Sequence, residues 1–316
     1  MKILKVKCLA PTRLDKYLME QFPVLGPGKL NKALRENKIK LNGRKQPLST
    51  RVVAGDVIKL FILDDQLEDA ARVNGPAWKS ARCPAEVVYD CPQMMVVNKP
   101  AGLTVDGPDD DTLINRVLLY LNKDGQYKEN DPYTPALCHR LDTGTSGLVL
   151  IAKTPLAEEV LTEAIRKREV KKTYLCVTFG RPTPPDAVLD GWLVKDADMG
   201  MVKIVPEKRP GAKSVETRYE TIAVSGRLAL LKVDLITGRT HQIRAHMASI
   251  GCPILGDSKY GNNAANRELK LKYQALCAWE LTLPRFTDPE LASLSGKSFR
   301  APKPWYYSQV IDGTLK

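Results

Sequence analysis

The sequence predicts an α+β protein in two unequal parts, a small basic helix–helix–hairpin unit followed by a larger body built on a mixed sheet. Three observations carry this. Apolar residues recur at helical spacing over residues 13–37 and then alternate over 38–61. From residue 83 onward, apolar runs of strand length alternate with amphipathic helical segments. Between the two, residues 63–82 mix acids with Asn-Gly-Pro and show no period, as a linker does. The expected boundaries are therefore 1–62, 63–82 and 83–316.

In the first unit, Leu14, Tyr17, Leu18 and Phe22 mark one helix, and Leu30, Ala33 and Leu34 mark a second over Lys29–Asn37. Lys38-Ile39-Lys40-Leu41 alternates as a strand into Asn42-Gly43, the strongest short hairpin signal, and Asp56–Phe61 supplies a second strand after Ala54-Gly55. In the body, the runs Met94–Asn98 and Leu148–Ala152 read as buried strands. Thr154-Pro155 caps a helix that turns Leu156, Val160, Leu161, Ala164 and Ile165 inward. Thr173–Phe179 and Arg227–Ile236 are further strands. Ile243, Met247 and Ile250 stripe a helix that stops at Gly251. Parallel winding of the sheet stays open at this level.

The chain of 316 residues carries a net charge of +12, distributed unevenly. Residues 1–61 hold fourteen Lys and Arg against four acids, a net +10, while the body is close to neutral. That is the footprint of a polyanion-binding module attached to something else, although a solvated basic face would look alike. No apolar run approaches the ~18 residues of a membrane span. The start, MKILKVKCLA, lacks the apolar stretch of a secretory signal. Seven scattered cysteines without a CxxC pair fit reduced thiols, so a cytoplasmic location is expected, with a monomer as the default.

The string with most chemistry is His139-Arg140-Leu141-Asp142-Thr143-Gly144-Thr145-Ser146-Gly147-Leu148. It sets one carboxylate on a tight turn at a strand mouth, where N–H groups and hydroxyls are expected to hold it ionised. An Asx turn whose Asp only closes the loop would read the same way. Strand alternation puts Tyr174 with Cys176 and Thr178, opposite Leu175, Val177 and Phe179. Arg244 leaves the stripe of its helix beside His241. His241 and His246 lack the HExxH spacing, and no GxGxxG or GxxxxGK[ST] occurs, so neither metal nor cofactor is expected.

HRLDTGTSGLVLIAK resembles the signature of the RluA-type pseudouridine synthases, and further blocks recur in the family's order: VVNKPAGLTVDG, KKTYLCVTFG and TGRTHQIRAHMASIGCPILGDSKYG. The first unit resembles the αL RNA-binding domain of small-subunit ribosomal protein four, except that Gly26-Pro27-Gly28 stands where those domains usually carry Ser-Arg. The resemblance implies a catalytic domain on a large mixed, mainly antiparallel sheet, preceded by the αL domain. It implies isomerisation of specific uridines without a cofactor, in large-subunit ribosomal RNA or a pre-ribosomal particle, with tRNA as the less favoured alternative. It makes Asp142 the catalytic carboxylate, Arg244 its basic partner and Tyr174 the aromatic that stacks on the base. Arg140 becomes the residue that fills the gap left by a flipped nucleotide, and His139, Thr143, Arg239, His241 and Gln242 its neighbours around the substrate. Arg13, Lys29, Lys32, Arg35, Lys38, Lys40, Asn42, Arg44 and Lys45 become RNA contacts. Two other readings compete with this one. The DTGTS loop of aspartic proteases needs a second such aspartate, and the sequence has none. A non-enzymatic rRNA-binding assembly factor predicts a missing active residue, yet Asp142, Tyr174 and Arg244 are all present.

Overall fold

A computed structural model describes residues 2–7, 11–22, 25–62, 76–196 and 200–315, which form two compact units. Most of the expected linker, residues 63–75, lies outside the described residues. Residues 77–80 form a 3₁₀ turn with Trp78 buried and fall in the first unit, so this end of the expected linker is ordered structure.

The first unit contains β1 (Lys2–Lys5), β2 (Thr12–Arg13), α1 (Leu14–Gln21), α2 (Pro27–Arg35), β3 (Ile39–Leu41), β4 (Arg51–Val52) and β5 (Val57–Leu60). Leu14, Leu18, Leu30, Ile39, Ile58 and Leu60 fill a core of its own. The second helix starts two residues earlier than its periodicity indicates, because Pro27 occupies the first turn, where no N–H is needed. Asn37 in the left-handed region follows its end. The Asn42-Gly43 turn forms with both central residues at positive φ, and Leu41 and Arg44 close it with two backbone hydrogen bonds. The second strand expected after Ala54-Gly55 is present as β5. The partner of β3 is β5, which also pairs with β1, a strand the sequence reading omitted.

The second unit adds β6 (Glu86–Asp90), β7 (Met94–Lys99), α3 (Leu113–Lys123), β8 (Ala136–Leu137), β9 (Ser146–Ala152), α4 (Pro155–Arg166), β10 (Lys171–Phe179), β11 (Asp186–Asp196) and β12 (Met201–Val205). Then follow β13 (Lys213–Ser225), β14 (Leu228–Leu235), α5 (Gln242–Ser249), α6 (Asn263–Glu268), β15 (Leu276–Thr282), β16 (Ser298–Arg300) and α7 (Tyr306–Ile311). One sheet runs β12-β11-β13-β14-β10-β15-β9-β7-β6, with β8 and β16 attached beside β9 and β15. Every pairing is antiparallel except β15–β9. The expected mixed, mainly antiparallel sheet is therefore present.

Both faces of the sheet are covered, which is why Met94–Val97 of β7, Leu148–Ala152 of β9 and Leu228–Leu231 of β14 read as apolar runs. On one face Leu175 and Val177 of β10 meet Ala157, Leu161 and Ala164 of α4 and Tyr306 and Val310 of α7. On the other, Tyr174 and Cys176 meet Ile243 and Met247 of α5. Thr154 caps α4 by accepting the Ala157 N–H at 3.2 Å. The stripe on α5 is a correction: Gln242 to Met247 are all buried while Ile250 is exposed, so this short helix is embedded rather than amphipathic.

Candidate active site

Sequence-distant loops meet at one end of β9, β10 and β14, around a cavity of about 1030 Å³ lined by Asp142, Tyr174, His241 and Arg244 among others. Asp142 arrives on the turn before β9. Its backbone carbonyl accepts the Thr145 N–H at 3.0 Å, so the turn does close through this residue. The glycines have separate reasons. Gly147 has φ +107°, and a Cβ there would lie 2.2 Å from the Ala278 carbonyl, at the junction with β15. At Gly144 the Gln274 amide occupies the space of a side chain.

The carboxylate itself is held by Arg244, whose Nη1 donates to Asp142 Oδ2 at 2.7 Å. This corrects the expectation that N–H groups and hydroxyls of the turn would hold it. Arg244 is in turn clamped from behind. Its Nε and Nη2 donate to the two oxygens of Asp257 at 2.6 and 2.9 Å, and Asp257 is 0% exposed. The N–H groups of Lys259 and Tyr260 also donate to Asp257 Oδ1. Burial pushes the Asp257 carboxyl up, but the bonds and charge of Arg244 outweigh it and hold it below the ordinary carboxylate range. The bidentate fork fixes the guanidinium plane and leaves one N–H edge aimed at Asp142.

His241 caps α5 in a left-handed conformation, φ 55°. Its Nδ1 lies 3.1 Å from the Tyr260 hydroxyl and its Nε2 3.7 Å from Asp142 Oδ2. Tyr260 accepts the Val202 N–H at 2.8 Å, and its ring lies under the Arg244 guanidinium. Burial lowers the His241 pKa against the pull of Asp142. Tyr174, 6% exposed, lines the same cavity. Burial and then Asp142 push its hydroxyl well above its ordinary pKa, so it stays a neutral phenol and not a tyrosinate base.

Lys99, 0% exposed, supports the Asp142 turn. Its Nζ donates to the carbonyls of Pro100, Leu103 and Thr143 at 3.0, 2.7 and 3.1 Å, and burial lowers its pKa to about 7. Thr143 therefore serves through its carbonyl, with its side chain exposed at the cavity. His139 is a wall residue. Its Nε2 accepts the Leu150 N–H at 3.2 Å, and burial drives its pKa to about 3, so it is neutral. Gln242 is not free for a substrate. Its carbonyl accepts from Thr237 and Arg239, and its amide donates to Glu216 and Thr217. Arg140 stands at the rim, 71% exposed, 3.2 Å from Asp106. Arg239 lines the cavity with its Nε buried.

In the basic unit, Lys29, Lys32, Arg35, Arg44 and Lys45 are exposed. Arg13 is forked onto Asp15, Lys38 pairs with Glu36, and Lys40 lies over Phe61. The Asn42 side chain is exposed but already engaged with Asp56 and the Val57 N–H, where it fixes the loop. Asp257, Tyr260 and Lys99 were missed at the sequence level, although GDSKYG and VVNKPAG contain them. Nothing in linear sequence shows that Asp257 stands behind Arg244. No group of three or more His, Cys, Asp or Glu able to hold a metal occurs among the described residues, and no helix there is long and apolar enough to cross a membrane.

Comparison with known proteins identifies the family of the chain. Residues 93–249 match the RNA pseudouridylate synthase family model. A ribosomal large subunit pseudouridine synthase C of Rickettsia bellii is 35% identical over 278 residues, covering 83% of this chain and 86% of the relative. A ribosomal large subunit pseudouridine synthase D of Yersinia pestis is 32% identical over 79% of this chain and 73% of its own. Among solved structures, human RNA pseudouridylate synthase domain containing 4 superposes with a TM-score of 0.58 at 25% identity, covering 72% of this chain and 92% of that one. With its sheet, its cavity and these relatives in agreement, the chain belongs to the RluA-type RNA pseudouridine synthases.

Proposed function

We propose that this synthase converts uridines of large-subunit ribosomal RNA to pseudouridine, with Asp142 as the group acting at the sugar or base and no cofactor. The observation that carries the assignment is the Asp142–Arg244–Asp257 chain, a carboxylate held at a cavity wall by an arginine that a buried carboxylate fixes in place. The isomerisation breaks the N1–C1′ bond, turns the uracil and forms a C5–C1′ bond. The C5 proton leaves and N1 ends protonated, so no electron or energy donor is consumed. A carboxylate can act here as nucleophile or base, and the neutral Tyr174 ring offers the uracil a stacking surface worth ~1–3 kcal/mol. A uridine in a helix hides its sugar, so it must be flipped at a cost of a few kcal/mol, and the exposure of Arg140 at the rim supports reading it as the residue that occupies the gap. Ribosomal rather than transfer RNA is favoured by the names of the relatives and by the basic first unit, read as an αL-type RNA-binding module.

The test is carbodiimide primer extension on large-subunit rRNA transcripts incubated with the protein, beside a map of cellular rRNA from cells with and without its gene. New stops at defined uridines in both are expected. Stops confined to tRNA would redirect the assignment, and none in either RNA would refute it.

A further inference from the structure

Two cations of the active-site cavity have nothing to do in the chemistry described so far. Of the basic side chains lining it, Arg244 is held by Asp142 and Asp257, and Arg140 by Asp106. Lys259 donates to the Gly200 carbonyl, and Lys272 lies over the Tyr273 ring. Lys172 and Arg239 remain. Neither side chain makes a hydrogen bond or ion pair among the described residues, and the Arg239 Nε is fully buried without an acceptor.

The fold brings these two together. Lys172 lies two residues before Tyr174 on β10, ~7 Å along the strand, and both side chains line the cavity. Its Nζ is packed against Gly238, where a Cβ would lie 3.4 Å from it, and Gly238 immediately precedes Arg239. Half-buried and without a counter-ion, Lys172 has its pKa lowered by burial. An uncompensated cation is costly to desolvate, and its retention is explained by an anion that arrives with the ligand. Among the described residues no carboxylate forms an ion pair with either side chain.

We propose that Lys172 and Arg239 form a phosphate subsite that takes a phosphate flanking the target uridine, at the sugar end of a base stacked on Tyr174. The ammonium serves as a point charge and the guanidinium as a planar fork. This rests on the reading of the cavity as the uridine site. Binding the phosphate fixes the sugar relative to Asp142, so these are substrate-positioning residues and take no part in proton transfer.

The test compares binding of uridine, uridine 5′-monophosphate and uridine 3′-monophosphate to the full-length protein, with Lys172→Gln, Lys172→Arg and Arg239→Gln variants alongside. One monophosphate is expected to bind at least tenfold more tightly than uridine. Lys172→Gln and Arg239→Gln should each shrink that ratio severalfold with uridine affinity unchanged, and Lys172→Arg should keep it. Equal binding of all three ligands by the wild type, no binding of any, or an undiminished ratio in both Gln variants overturns the subsite. An intact preference in a protein that leaves large-subunit rRNA unmodified supports the subsite while refuting the RNA assignment, so the two failures are separable.

Discussion

Asp142 and Asp257 are both aspartates on Arg244, yet their surroundings give them different tasks. Asp142 faces the cavity with its side chain 26% exposed, whereas Asp257 is sealed and saturated by Arg244 and two backbone N–H groups. Asp142→Asn is nearly isosteric and keeps the turn, because the hydrogen bond closing it uses the backbone carbonyl. The variant should fold and bind RNA like wild type, while pseudouridine formation falls below detection, since an amide is neither nucleophile nor base. Pseudouridine made by variant protein shown by mass spectrometry to be free of deamidation would refute the assignment. Asp257→Asn tests the other role. It leaves a buried guanidinium half-paired, so stability should drop by about 3–5 kcal/mol. In protein that remains folded, kcat should fall ~10–100-fold with RNA affinity little changed, as expected for a misplaced Arg244. An unchanged kcat in folded Asp257→Asn protein would show that Arg244 needs no clamp.

At the scale of elements, the site depends on loops that converge because the strands beneath them are rigid. Lys99 ends β7 and ties Pro100, Leu103 and Thr143 together, so a single buried side chain joins two loops under the cavity. Its folded pKa of about 7 lies below the unfolded value near 10.4, so between these values the unfolded chain binds more protons and stability rises with pH. Between pH 7 and 8.5, unfolding free energy should climb up to about 1.4 kcal/mol per pH unit more steeply in the wild type than in Lys99→Met. Parallel pH profiles from denaturant melts would mean that Lys99 stays charged throughout. Legibility followed the same division between element and assembly. β7, β9, α4 and β10 were readable because an apolar run, or a Thr-Pro cap, announces each locally. β13 was overlooked although its burial alternates along much of its length, β11 is interrupted by Asp190, Gly191 and Lys195, and β12 is only five residues long. The Asn42-Gly43 turn and the strand that pairs with β3 were both readable, whereas β1, the second partner of β5, was not, because its four residues are too few to show a period. Gln242 had the sequence look of a substrate ligand, yet its amide closes the loop onto β13. That commitment arises only once residues 216 and 242 are brought together.

On the scale of the whole molecule, charge and chemistry are divided between two compact units. The first has its own apolar core, its residues 1–61 carry +10 of the net +12, and Lys29, Lys32 and Arg35 project from α2 without a salt bridge among the described residues. Read as RNA contacts, these three should each displace counterions from a phosphate when the enzyme docks. Replacing all three with Gln leaves the core residues Leu30 and Ala33 in place, so the unit should remain folded. The slope of log K against log salt for a long rRNA transcript should then flatten by about 2–3, because each phosphate neutralised contributes roughly 0.7–0.9. Affinity at low salt should fall more than at high salt. Turnover of RNA already bound, measured at saturating enzyme, should be unchanged, since none of the three lines the catalytic cavity. An unaltered slope would assign the basic face to solvation alone. A loss of bound-state turnover with the slope intact would instead tie α2 to the catalytic step.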